Sequence, residues 1–232
     1  MRVSPEWLVK AWYGRSQFKT PPVACISNNQ IKITTFREYG QGMRILSTSA
    51  NVEYGREESV REYCFEIPNG FRAYMHHLQF AKEVRLRFEN HNVHIVAETP
   101  SFAIQYKIQH LAPKQDVYIQ KSSADISLEV GTEDWMQICQ TMPQKGQITI
   151  ECHTNKRMLT IKHSKNNWGA CLMARSKALT YKKFVCGSDI MRFCFKQVEN
   201  LPSFGSITFM ECGVLNWISG YMQVYLAPQG EE

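Results

Sequence analysis

Few residues of this chain have the types and spacing that covalent or metal chemistry needs. The best ligand set, Glu89, His91, His94 and Glu98, spans a predicted hairpin turn. Successive side chains there point to opposite faces and do not converge on one ion. His76 and His77 are neighbours on a predicted helix, about 100° apart around its axis, a poor geometry for joint ligation. They read better as part of a polar face. No Gly-x-Ser-x-Gly elbow and no phosphate-cradling Gly-x-x-x-x-Gly-Lys is present, and Gly40-Gln-Gly42 is too short for a dinucleotide loop. The chain is therefore read as a non-enzyme with no metal and no cofactor. What it does offer is phosphate chemistry: Lys10, Arg72, His76, Arg192 and Lys196 fall on the polar faces of predicted helices, where long cationic side chains meet a polyanion without reading bases.

Those helices are drawn by apolar periodicity. In the first, Pro5 opens after Ser4, and Trp7, Leu8, Ala11 and Trp12 form a stripe opposite Glu6 and Lys10. The second gathers Phe71, Tyr74, Met75 and Leu78 on one side. The third is expected to be capped by Thr132, with Glu133 and Asp134 at its positive start and Trp135, Ile138, Cys139 and Met142 buried. The fourth is expected to be capped by Ser188 and to bury Ile190, Cys194 and Val198. After each helix the pattern changes to alternation with period two, as in Val84, Leu86, Phe88 and Val93, Ile95, Ala97 around Asn90-His91-Asn92, and in Ile148, Ile150, Cys152. Helices one and three lie about 128 positions apart and two and four about 118, so the order helix, strands, helix, strands occurs twice. The reading is α+β with antiparallel sheets: residues 1–110, a connector at 111–124 broken by Pro113, and residues 125–232.

Composition bounds the rest. With 44% apolar residues among 232, the chain can bury a core, and no apolar run approaches the ~20 residues of a membrane-crossing helix. The start of the chain lacks the apolar core of a secretory signal, which points to an intracellular protein. The 8 cysteines show no Cys-x-x-Cys spacing and are read as buried, reduced thiols. Net charge is +6, with most of the surplus in residues 1–123, a balance that favours a polyanionic partner.

The closing strand, Gly220-Tyr-Met-Gln-Val-Tyr-Leu-Ala-Pro228, resembles the end of the proliferating cell nuclear antigen family of DNA sliding clamps. The similarity continues in order through Gly42-Met-Arg-Ile-Leu-Ser-Thr48, Ser101-Phe-Ala-Ile-Gln-Tyr-Lys-Ile-Gln-His110, Asp134-Trp-Met-Gln-Ile-Cys-Gln140, Gly169-Ala-Cys-Leu-Met-Ala-Arg-Ser176 and Phe193-Cys-Phe-Lys196. Only three residues precede Ser4, so the strand that opens the clamp is missing or shortened; Gln137 and Gln140 stand where the family offers basic residues; and the chain is basic where cellular clamps are acidic. The form is therefore divergent, of a kind that a virus could carry.

The resemblance implies two similar clamp domains, helices lining a DNA-facing surface with sheets outside, and a processivity factor that tethers polymerases and repair proteins to duplex DNA. It places Met43, Ile45, Leu111, Val117, Tyr225, Leu226, Ala227 and Pro228 around a groove for a short partner peptide. Phe102, Ile104, Tyr106, Ile108, Ala170, Leu172 and Ala174 fall on two subunit edges of a trimeric ring. It implies the nucleus as the location, or the replication site in a host if the chain is viral. The alternatives are a checkpoint-type clamp subunit, a herpesvirus-like factor that grips DNA as a monomer or dimer and, furthest away, a DNA-modifying enzyme.

Overall fold

In the computed structural model the chain divides into two units, one of residues 1–36 and 46–118, the other of residues 37–45 and 119–232. The structure describes residues 1–13, 22–27, 29–53, 63–68, 71–89, 92–109, 122–196 and 201–229, apart from the side chains of residues 12, 13, 72, 73, 75, 76 and 109. No helix among them is long and apolar enough to cross a membrane.

The first unit runs β1 (Arg2–Val3), α1 (Pro5–Tyr13), β2 (Val23–Ser27), β3 (Gln30–Tyr39), β4 (Gly42–Asn51), β5 (Tyr63–Glu66), α2 (Phe71–Leu78), β6 (Glu83–Glu89), β7 (Asn92–Glu98) and β8 (Ala103–Gln109). It holds one sheet in the order β1-β6-β7-β8 and another in the order β5-β2-β3-β4. The opening strand is thus short rather than missing, with Arg2 opposite Arg85 and Val3 opposite Val84. Ser4 accepts the N–H of Trp7 at its hydroxyl, 3.3 Å, and caps α1. Alternation puts Val84, Leu86, Val93, Ile95 and Ala97 into the core with Leu8, Ala11, Phe71 and Leu78 of the two helices.

The second unit runs β9 (Ala124–Gly131), α3 (Thr132–Thr141), β10 (Gln147–Cys152), β11 (Met158–His163), β12 (Gly169–Met173), β13 (Lys182–Gly187), α4 (Ser188–Cys194), β14 (Phe204–Met210), β15 (Leu215–Ser219) and β16 (Met222–Leu226). Its strands order as β12-β11-β10-β13 and as β16-β15-β14-β9, with the first residues of β4 beside β16. The core centres on Phe195, whose ring meets Trp135 and Trp217 edge-on, each at 5.4 Å.

The caps differ from expectation. Gly131 and Gly187, not Thr132 and Ser188, occupy the N-cap positions. A Cβ on either glycine would lie 2.6 Å from the carboxylate of Asp134 or Asp189, which folds back over the helix start. Thr132 instead pairs its hydroxyl with that of Ser219 at 3.0 Å.

The tip of the β3–β4 hairpin, residues 37–45, is held within the second unit by α4. Tyr39 stacks on Phe193 at 4.5 Å, and the Arg37 guanidinium lies 4.1 Å from the centre of the same ring. Gly42 lets the strand pass close: a Cβ there would meet Ile190 at 2.5 Å and the Cys194 sulfur at 2.7 Å.

The cysteines also depart from the reading of eight reduced, buried thiols. Cys25 and Cys64 stand opposite each other in the β2–β5 register, with Cα atoms 4.2 Å apart, and form a disulfide. Cys171 and Cys212 are exposed, while Cys139, Cys152, Cys186 and Cys194 are buried free thiols.

Candidate nucleic-acid interface

The five cations proposed for DNA contact meet different fates. Lys10 is exposed near the end of α1. Arg72 and His76 fall on α2, but their side chains lie outside the described residues. Lys196 is exposed just past α4. Arg192 is engaged: its guanidinium donates to the carbonyl oxygen of Gln140 at 2.7 Å and to that of Met142. These carbonyls close the C-terminal end of α3, where a helix leaves acceptors unpaired and favours a cation. Arg192 therefore joins α4 to α3 rather than standing free for phosphate. The exposed face of α3 carries Glu133, Asp134, Gln137 and Gln140 and no cation.

A further cation that sequence reasoning missed lies beside α4. Arg44 is only 6% exposed, donates to the Lys196 carbonyl oxygen at 3.0 Å, and has its pKa brought down to about 10 by burial. Nothing local marks it, because its neighbours in β4 read as an ordinary strand.

The residues proposed for the subunit edges divide between backbone and side chain. On β8, Ile108 is buried in the first unit's core and Ile104 and Tyr106 pack against it. Tyr106 meets Phe71 edge-on at 5.1 Å, and the Tyr74 hydroxyl donates to the carbonyl oxygens of Ile95 and Ile104 at 2.9 and 2.7 Å. On β12 Leu172 is buried and Ala170 is half-buried, and Ala174, just past the strand, is buried. These side chains face their own cores, so what the two strands leave open is their outer backbone. The apolar side chains exposed at the edges are Phe102, 54% exposed before β8, and Met173, 68% exposed at the end of β12.

The proposed peptide groove is drawn together in part. Ala227 N–H donates to the Gln41 carbonyl oxygen at 2.9 Å, bringing the end of β16 to the start of β4. Met43, Tyr225 and Ala227 are half-buried, Ile45 is nearly buried and Pro228 is exposed. Leu226 is fully buried and faces Gly42 in the core, so it does not line a groove. Leu111 and Val117 lie outside the described residues.

No known family profile matches this chain, and no curated protein sequence is similar to it. Among solved structures, the DNA polymerase III subunit beta from Pseudomonas aeruginosa matches 100% of this chain with a TM-score of 0.67 and 9% sequence identity. The fold is that of a DNA sliding clamp. The chain spans 66% of the length of the beta subunit. At that identity the likeness concerns backbone architecture, which a core of the right pattern and volume preserves after most residues have changed.

Proposed function

We propose that the chain is a DNA-associated, clamp-type processivity factor, built of two similar clamp domains, that joins other copies of itself head to tail around duplex DNA and tethers a polymerase. The observation that carries this is the repeated connectivity of the two units. Among the described residues each runs one strand, a helix, four strands, a helix and three strands. Even the isolated bridges correspond, Arg2 to Glu53 in one and Val130 to Ala174 in the other. By this correspondence β4 matches β12 and β16 matches β8. The start of β4 lies beside β16, whereas β12 and β8 each end a sheet among the described residues.

Unpaired edges call for a partner. In the second unit Ala227 N–H donates to the Gln41 carbonyl oxygen, so the end of β16 lies beside the start of β4. An antiparallel pairing of β8 with β12 between copies sets the start of β8 against the end of β12, where Phe102 and Met173 stand. Such a contact is heterologous and closes into a ring when the rotation per copy allows it. Three copies is the number that the family resemblance implies. Lys10, Lys196 and the positions Arg72 and His76 supply phosphate contacts. The half-buried Met43, Tyr225 and Ala227 side of β4 and β16, with Ile45 beneath it, supplies the partner groove, an apolar surface suited to an extended peptide.

The deciding experiment compares retention on closed circular and linearised duplex in high salt. A clamp stays on the circle and leaves the linear molecule, because encirclement is topological. Equal, salt-labile release from both would overturn the reading.

A further inference from the structure

In the second unit the helix faces are the wrong place to look for phosphate contacts. The exposed side of α3 presents Glu133, Asp134 and two glutamines, and Arg192 of α4 is engaged with the α3 carbonyls. Exposed positive charge gathers instead on two loops. The turn between β10 and β11 carries exposed Lys156 and Arg157, and the segment after β12 carries exposed Arg175 and Lys177.

Backbone bonds hold the loops side by side. Asn155 N–H donates to the Ala178 carbonyl oxygen at 2.8 Å, Ala178 N–H to that of Lys156 at 3.1 Å, and Ala174 N–H to that of Arg157 at 2.9 Å. Asn155 takes a left-handed conformation, φ 62°, which turns the chain so that Lys156 and Arg157 follow on the loop's surface. Arg175 is positioned by Glu129, 3.3 Å away, and lies over the Phe204 ring at 3.6 Å. Lys156, Arg157 and Lys177 make no ion pair among the described residues.

We propose that this loop pair is the second unit's main contact for the phosphodiester backbone of duplex DNA, with Lys196 past α4 as a further one and the helix faces themselves making none. The inference rests on the DNA-associated reading given above. The chemistry favours a phosphate chain over an acidic peptide. Four long cationic side chains stand on the two loops, and the large apolar residues beside them, Leu179 at 82% exposure and Phe204 under the Arg175 guanidinium, are themselves exposed and offer no buried anchor site for a peptide. Contacts of this kind position a duplex and carry no sequence information.

The test is a salt titration of binding to a short labelled duplex, with the full chain and with K156Q/R157Q/K177Q, which leaves the Arg175–Glu129 pair in place. Each phosphate contact contributes about 0.9 to the slope of log affinity against log salt, so the triple variant should lose about 2.7 from that slope and melt at the wild-type temperature. A wild type that binds with an unchanged slope in the variant overturns this inference and leaves the DNA-associated reading standing. A wild type that binds no duplex at low salt overturns both. A poly-glutamate peptide that binds wild type and not the triple variant, while the DNA slope stays the same, assigns the loops to an acidic protein and overturns the proposal.

Discussion

Replacing Phe102 and Met173 together by serine tests whether copies of the chain meet where β8 begins and β12 ends. In the single chain these side chains are 54% and 68% exposed, so most of each is wetted surface that a second copy could cover. Fully burying such a side chain contributes about 1.5–3 kcal/mol, so covering the exposed part contributes about 1–2 kcal/mol for each residue. Losing both should weaken one contact by about 3 kcal/mol, which is roughly a 100-fold drop in association constant. Because neither side chain belongs to a core, the melting temperature should hardly move, surface changes being within about 0.5 kcal/mol. Sedimentation velocity across a concentration series reads the effect directly. If the double variant associates as tightly as wild type, the contact is elsewhere. If wild type stays monomeric at high micromolar concentration with and without DNA, the head-to-tail arrangement itself fails.

Arg192→Met should destabilise the second unit by about 1–3 kcal/mol in urea melts, because the carbonyls of Gln140 and Met142 lose their donor; its effect on the DNA salt slope should be negligible. Thiol titration of the oxidised, denatured protein should find six free cysteines, since Cys25 and Cys64 are joined. Cys64→Ser removes a crosslink between residues 39 apart and should cost about 4 kcal/mol against the oxidised protein, and an equal loss with and without reductant would refute the pairing. Alkali should destabilise the fold. Burial pushes the Cys194 thiol up to about 12 and raises Cys139 and Cys186 as well. Their stability contribution is fully present below the ordinary thiol value of 9.0 and is lost as pH rises through the folded values, at up to about 1.4 kcal/mol per pH unit for each thiol. Urea melts between pH 8 and 10 should show a slope that shrinks in Cys194→Ala.

Local pattern alone placed much of the framework. The stripes through Trp7, Leu8 and Ala11 and through Trp135 and Cys139 set helices, and the alternation at Val84–Phe88 and Val93–Ala97 set a hairpin whose register pairs Leu86 with Ile95, because helix and strand periods are written in neighbouring residues. The same order occurring twice was also legible, since a repeat is a property of the chain read in one dimension. Other features depend on residues far apart in sequence. That Arg192 caps α3 follows from where Gln140 and Met142 end that helix, 52 and 50 positions earlier. That Cys25 meets Cys64 follows from the pairing of β2 with β5. Alternation marks Ile104, Tyr106, Leu172 and Ala174 as one face of a strand but does not say whether a subunit or the chain's own core covers it; packing against Phe71 and Tyr74 decided that for Tyr106. The four loop cations look like ordinary solvated turns until backbone bonds between residues 155–157 and 174–178 bring them together. Periodicity records which side of an element is apolar, whereas the partner of that side, and the neighbours of a charge, are fixed only when distant segments pack.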